Sequence, residues 1–176
     1  MDIQQLVMEA DYPPPASEDE VSTACGPRAV ARLIPYALDS YLALPPHTTL
    51  EIVEHPVIVA VPGAVYYAYG LLNWQNHTIP VINVDTLLRA YQDTPQITAP
   101  RYALVVAYQR APNRALEYGA LGLAALPETI EVGDEAWCDL PVNSDLWPLL
   151  ALSCLRHDQH IVPILDTAKL FASFHG

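Results

Sequence analysis

The sequence has few charged residues, and very few of them are positive. Only 16% of its 176 residues are charged, against about 25% in an average globular protein, and 8 Lys and Arg stand against 20 Asp and Glu. The net charge of −12 argues against a nucleic-acid partner, because phosphate backbones are bound by basic surfaces. It also disfavours binding to an anionic membrane surface.

Cysteine is scarce as well, and the pattern lacks the spacing of a metal site. The three cysteines, Cys25, Cys138 and Cys154, form no Cys-x-x-Cys pair, so neither a disulfide framework nor a zinc site is expected. We place Cys154 in the core and Cys138 without a partner in an acidic loop, in a protein of a reducing compartment. His157 and His160 lie across a predicted turn and lack a third ligand.

Catalytic motifs are missing too. The sequence contains no Gly-x-Ser-x-Gly, no His-Glu-x-x-His and no glycine-rich phosphate loop. We therefore expect no catalytic residue, no cofactor and no bound metal, and we interpret the chain as a non-enzyme.

No apolar run reaches the length of a membrane span. Residues 55–84 contain no Asp, Glu, Lys or Arg, but prolines and polar residues interrupt them, and the apolar part, 57–72, has only 16 residues. A spanning helix needs about 20. The first residues carry Asp2 and no basic segment, unlike a secretory signal. We expect buried strands in 55–84 and a cytoplasmic protein without membrane insertion.

The acids are concentrated in two segments. Residues 1–27 hold six acids, no base and a run of three prolines, so we expect a disordered tail before one domain that spans residues 28–176. This tail is either a solvating extension or a docking arm. Residues 128–145 hold another six acids and no base, which is typical of a solvated connector. Trp137 within them favours the alternative, a surface for a basic partner.

Short apolar segments rich in Val, Ile and Tyr alternate with polar turns, and 17 prolines punctuate the chain. This pattern predicts β-hairpins rather than long helices. The predicted turns are at residues 39–40, 54–56, 73–77, 110–113 and 156–160. Residues 85–91 and 167–174 carry Leu at helical spacing, which predicts two short helices. The candidate caps are Asn83 or Asp85 for the first helix and Asp166 or Thr167 for the second.

An internal repeat connects the two predicted helices. Residues 79–83 and 87–88 match residues 162–166 and 170–171 at a constant offset of 83. Each copy consists of a hairpin, a strand with an early proline and a short helix. This shared order of elements predicts a duplicated fold with two small barrels.

A group of residues around the first copy forms a pattern: Pro62, Ala64, Gly70, Asn73, Ile79, Pro80 and Val81. The pattern resembles the signature of CheW-like chemotaxis adaptor domains, and the second copy resembles that family's closing strand and helix. The resemblance implies a mainly β fold of two small five-stranded β-barrels around a shared hydrophobic core, with short helices after strands.

The resemblance also implies a signalling scaffold without catalytic activity. Members of this family connect the cytoplasmic tip of methyl-accepting chemoreceptors to the regulatory domain of a CheA-type histidine kinase, in two-component systems that control flagella or pili. This chain departs from the signature, since Gln75 replaces an Arg, Asn76 a Gly and Asn83 an Asp. The missing guanidinium removes a fixed charge and bidentate donors. The alternative is a CheW-fold interaction module that binds another partner or itself.

We place the partner-binding site at the turn of the first hairpin. Its residues are Tyr69, Asn73, Trp74, Gln75, Asn76 and His77. An exposed Trp74 is expected to be a contact hot spot, and the alternative is a Trp74 that packs onto its own barrel. Tyr67 and Tyr69 are expected on one strand face and Tyr66 on the other, either in the core or lining a groove.

Overall fold

The structure is a computed structural model that describes residues 26–89 and 98–172. Within these residues the strands are β1 (Ala29–Ala37), β2 (Ser40–Leu44), β3 (Thr49–Glu54), β4 (Ile58–Val59), β5 (Ala68–Trp74), β6 (His77–Ile82), β7 (Tyr102–Tyr108), β8 (Glu117–Leu123), β9 (Glu128–Val132), β10 (Ala151–His157) and β11 (His160–Leu165). The helices are α1 (Val84–Arg89), α2 (Trp147–Leu150) and α3 (Thr167–Phe171). The predicted mainly β character with short helices is confirmed.

Each of two sheets combines strands from both halves of the chain. One sheet has the order β10-β11-β2-β1-β9, and the other has the order β3-β7-β8-β6-β5-β4. Neighbouring strands are antiparallel, except that β11 with β2 and β6 with β8 are parallel. The hairpin β1–β2 therefore completes the sheet of the second half, and β7–β8 completes the sheet of the first half.

Most of the predicted turns connect paired strands. The hairpins β1–β2, β5–β6, β7–β8 and β10–β11 are confirmed. The hairpin predicted around residues 54–56 is wrong, because β3 pairs with β7 and β4 pairs with β5 at the opposite edge of the same sheet. His55 has a φ of 47°, and its backbone N–H donates to the Arg101 carbonyl at 2.8 Å. The segment after β3 therefore continues past the end of β7 instead of forming a hairpin with β3.

Two further expectations are corrected. The acidic segment 128–145 is not only a connector, since its first residues form β9 against β1. The apolar run 147–155 before the predicted turn at residues 156–160 is not one strand of a hairpin, because its first four residues form the helix α2. Pro148 lies at the start of α2, where the missing N–H is not needed, whereas in a strand it would interrupt the ladder.

Helices α1 and α3 lie in the two stretches predicted to be helical. Helix α1 begins one residue before its predicted stretch, at Val84. Residues 90–91 and 173–174 of those stretches lie outside the described residues, as do residues 1–25 of the predicted tail. The boundary of the tail therefore stays a prediction.

The duplication predicted from the 83-residue offset is visible in the hydrogen bonds. The backbone N–H of Asn83 donates to the Tyr67 carbonyl at 2.8 Å, and that of Asp166 donates to the Leu150 carbonyl at 2.8 Å. The side chains of Asn83 and Asp166 also cap α1 and α3, accepting from the backbone N–H three residues later at 3.0 and 3.2 Å. Donor and acceptor in one copy are each 83 residues from their equivalents in the other.

Apolar side chains fill both faces of the central strands. Strand β7 is buried along its whole length: Tyr102 and Leu104 join a cluster shared by the two sheets, and Ala103 and Val105 join a separate cluster of the six-stranded sheet. A third cluster lies on the five-stranded sheet. The shared core is therefore present. Closed barrels stay a prediction, since in the described part of the chain no ladder joins the two outer strands of either sheet.

Candidate functional site

The tip of the β5–β6 hairpin, residues 73–78, presents most of the predicted site residues. Gln75 and Asn76 have positive φ values of 43° and 66°, as the two central residues of a type I′ turn require. Trp74 and His77 are the last pair of the ladder before this turn. The side chains of Asn73, Gln75, Asn76 and His77 are exposed. The tip is therefore a polar surface on a backbone that the β5–β6 ladder holds in place.

Trp74 is not exposed, contrary to expectation. Its side chain is 9% exposed, and its Nε1 donates to Glu51 Oε2 at 2.7 Å. Its ring centroid lies 5.3 Å from that of Tyr118. Gln75 Nε2 donates to the same oxygen of Glu51 at 3.3 Å. Trp74 thus packs on its own sheet because strand alternation places it with Leu72 on the buried face, and it supports the tip from below.

Tyr69 lies at the base of the hairpin rather than at the tip. Trp74 is five positions further along the strand, which is about 17 Å at 3.4 Å per residue. Its hydroxyl accepts a hydrogen bond from Asn83 Nδ2 at 2.9 Å. Burial first, and then the carboxylate of Asp85, raise the pKa of Tyr69 above its ordinary value. The structure therefore joins Tyr69 to the start of α1 and does not bring it together with the tip.

The expected faces of the three tyrosines are wrong. Tyr67 packs in the cluster shared by the sheets, whereas Tyr69 packs on the opposite face of the six-stranded sheet. Tyr66 precedes β5, and its hydroxyl donates to the Leu87 carbonyl at 3.3 Å. A β-bulge at residues 68–70 interrupts the alternation on which the expectation depended.

Gly70 is the signature residue that the geometry explains best. Its φ is +136°, and a Cβ at this position would clash with the carbonyl oxygen of Val59 in β4. Only glycine lets β4 lie this close to β5. Gly63, with a φ of 75°, follows Pro62 in the turn in which Ala64 N–H donates to the Val61 carbonyl at 3.2 Å, the arrangement of a type II turn.

An apolar edge beside the hairpin was missed by the sequence analysis, which placed residues 55–84 in buried strands. Val57, Val59 and Val61 are 82%, 59% and 40% exposed. They belong to or flank β4, a two-residue strand at the outer edge of the sheet. Pro56 and Pro62 on either side were the signal for an edge strand, because proline is excluded from central strands. We call Val57, Val59 and Val61 the valine edge.

The second hairpin repeats the arrangement of the first at its own tip. His160 is the equivalent of His77 at the offset of 83, and both pack on a tyrosine. The ring centroids are 4.9 Å apart for His77 and Tyr118 and 4.8 Å apart for His160 and Tyr41. His157 faces His160 across the turn. Among residues 26–89 and 98–172, no group of three His, Cys, Asp or Glu is placed to hold a metal ion.

One expectation about the cysteines is confirmed and another is wrong. Cys154 is in the core, with 2% of its surface exposed. Cys138 does not lack a partner, because its Sγ lies 3.7 Å from that of Cys154. No short-range pattern indicates this contact, since 16 positions separate the two residues.

Comparison with known proteins assigns the fold to a family. A CheW-like domain model matches residues 37–175, most of the chain. The chain therefore belongs to the CheW-like domain family of scaffold and adaptor domains. The crystal structure of the scaffolding protein TtCheW from Thermoanaerobacter tengcongensis is similar to the chain with a TM-score of 0.62, at 14% identity, over 80% of this chain and 90% of that one. No curated protein sequence matches the chain.

In the described residues, no helix has the length and the apolar composition needed to cross a membrane.

Proposed function

We propose that the chain is a non-enzymatic adaptor that links chemoreceptor tips to the regulatory domain of a CheA-type histidine kinase. The observation that carries this proposal is the CheW-like match over residues 37–175. A cytoplasmic location, with recruitment to receptor arrays, belongs to the same proposal.

The hairpin tip and the valine edge together form the contact surface in this proposal. The register of β4 on β5 pairs Ile58 with Leu72, so Val57 comes next to Asn73 at the start of the tip. An apolar strip thus adjoins a polar tip, and a mixture of apolar contacts and hydrogen bonds is typical of protein interfaces. The surface is small, and we expect a dissociation constant in the micromolar range, as for other small and transient interfaces.

The departure at Gln75 affects this surface directly. Gln75 donates to Glu51, so the arginine of the family signature would meet a carboxylate at this position. We expect Gln75→Arg to strengthen kinase binding, and to do so more in a Glu51→Gln background, because the new guanidinium is then not neutralised within the chain. Gln159→Arg adds the same charge at the tip of the second hairpin and serves as the matched control.

The test is calorimetric binding of the full chain to the regulatory domain of each CheA-type kinase encoded in the same genome, and to receptor tip fragments. His77→Ala and His160→Ala form a matched pair, because each removes an imidazole that contacts a tyrosine ring at an equivalent position. We expect His77→Ala to weaken kinase binding at least fivefold, a loss of about 1 kcal/mol, and His160→Ala to leave it unchanged.

Two results would contradict the proposal in different ways. If His77→Ala and His160→Ala changed the affinity for the kinase domain equally, the contact surface would not be specific to the first hairpin. A folded chain that binds neither a kinase domain nor a receptor tip would refute the adaptor function. If sedimentation then showed a concentration-dependent dimer, the alternative of a self-associating CheW-fold module would replace it.

A further inference from the structure

Cys138 and Cys154 lie directly opposite each other on two extended segments. Trp137 and Leu155 form an antiparallel bridge between the chain that follows β9 and strand β10, and the next pair in that register is Cys138 with Cys154. The backbone N–H of Cys138 donates to the Cys154 carbonyl at 3.2 Å. The two Sγ atoms are 3.7 Å apart.

This arrangement meets the backbone requirements of a disulfide. Residues directly opposed on antiparallel strands have Cα atoms about 4.5–5.5 Å apart, within the range of about 4.4–6.8 Å found across disulfides. The sulfur atoms need to approach by less than 2 Å to reach a bond length of about 2.05 Å, and side-chain rotation supplies movement of this size. No rearrangement of the sheet is required.

The two thiols differ in accessibility. Cys138 is partly exposed, whereas Cys154 is buried. Burial, followed by the contact with Cys138, raises the pKa of Cys154 to about 12. Cys138 is therefore the thiol that an external oxidant reaches first, and Cys154 then reacts with the Sγ of Cys138 once that sulfur carries a leaving group.

We propose that Cys138 and Cys154 form a reversible intramolecular disulfide, with a low-molecular-weight disulfide such as glutathione disulfide as the oxidant. The Cys138 thiolate attacks one sulfur of glutathione disulfide, the S–S bond breaks, and one glutathione leaves as a thiolate that takes up a proton. Cys154 then gives its proton to solvent and attacks the Cys138 sulfur, releasing the second glutathione. In total, two cysteine thiols lose two electrons and two protons, and one glutathione disulfide becomes two glutathione molecules.

The disulfide would covalently join Cys138, the residue after Trp137, to strand β10 of the five-stranded sheet. Trp137 is 56% exposed and lines the mouth of a cavity of about 230 Å³ together with Val30 and Leu155. Within the described residues, an isolated bridge is the one strand-type pairing that joins this segment to β10. Oxidation therefore adds a covalent bond beside the bridge that holds this exposed tryptophan next to an apolar cavity.

The experiment uses the full chain with Cys25→Ser, which removes the third cysteine. The protein is incubated with an excess of glutathione disulfide, and its intact mass is measured under denaturing, non-reducing conditions. We expect the loss of two hydrogen atoms, a peptide in which Cys138 is linked to Cys154, and a rise in Tm of about 6–12 °C, which dithiothreitol reverses. In the Cys154→Ala variant we expect one glutathione to remain on Cys138 and the Tm not to rise.

Three outcomes would overturn the proposal. The first is that both thiols stay free, and the second is that glutathione remains on Cys138 although Cys154 is present. The third is a disulfide between two molecules. All three outcomes are measured in the Cys25→Ser protein, which keeps both cysteines. The result therefore does not depend on the folding of the Cys154→Ala variant.

Discussion

Truncation of Trp74 tests whether the hairpin tip is supported from below by a buried indole. The side chain is 9% exposed, and replacing a buried tryptophan by alanine typically costs about 3–5 kcal/mol. Glu51 is exposed and regains water when it loses the indole N–H, which limits the additional penalty. We therefore expect Trp74→Ala to lower the free energy of unfolding by about 3–4 kcal/mol.

The contribution of the hydrogen bond can be separated from that of packing. Trp74→Phe keeps most of the aromatic contact and loses the bond to Glu51, so we expect a cost of about 1–2 kcal/mol. A double-mutant cycle of Trp74→Phe with Glu51→Ala, which removes the acceptor, is expected to give a coupling energy of about 1 kcal/mol. The assay is urea unfolding followed by far-ultraviolet circular dichroism, which does not depend on tryptophan fluorescence. Trp137→Ala is the matched control, because Trp137 is 56% exposed, and we expect it to cost under about 1 kcal/mol.

The result that would refute this reasoning is a Trp74→Ala variant no less stable than Trp137→Ala. Binding gives a second check. Because Trp74 is buried beneath the tip, we expect Trp74→Phe to change the affinity for a partner by less than about twofold. A tenfold loss of affinity with unchanged stability would instead make Trp74 part of the contact surface.

The remaining predictions concern Gly70, Asn83 and Cys154. Gly70→Ala should lower the free energy of unfolding by about 3 kcal/mol and reduce amide protection in β4, because its Cβ clashes with Val59 and its φ is positive; full protection would contradict this. Asn83→Ala should cost about 2 kcal/mol by removing the cap of α1 and the donor to Tyr69. Asn83→Asp should cost about 1 kcal/mol, because a carboxylate still caps the helix but no longer donates to Tyr69. Under reducing conditions, the free energy of unfolding should fall as pH rises above about 9. The unfolded chain loses the Cys154 proton there, whereas the folded state keeps it up to a pKa of about 12. For this one group the fall is at most about 1.4 kcal/mol per pH unit. Urea unfolding at pH 8 to 10.5 should show a shallower decline for Cys154→Ala, and identical slopes would disprove the assignment.

Local features of the fold could be predicted where short-range signals decide the structure. The β5–β6 turn follows from a polar segment between apolar strands that contains Asn76, a residue type that tolerates positive φ. The caps at Asn83 and Asp166 follow from side chains that accept hydrogen bonds from nearby backbone N–H groups. The repeat could be found for the same reason, since both copies use the same local chemistry.

Features that depend on distant partners could not be predicted in this way. Trp74 is buried because Glu51 and Tyr118, on two other strands, lie against it, and neither contact has a signature in the hairpin itself. The faces of Tyr67 and Tyr69 depended on a regular strand, and one bulge was enough to separate them. The contact between Cys138 and Cys154 arises from a single bridge between segments that sequence spacing does not relate.

The exchange of hairpins between the two halves has a consequence for how the protein assembles. Ala43 pairs with Ile164 and Val81 with Ala120, so completing either sheet requires contacts of very high sequence separation. Folding is then expected to be slow and to occur as one cooperative unit, because loop closure precedes the stabilising contacts. Two fragments divided between α1 and β7 should each remain unfolded alone and fold when mixed. In topological terms, the chain is a domain-swapped dimer whose two subunits are joined in one polypeptide.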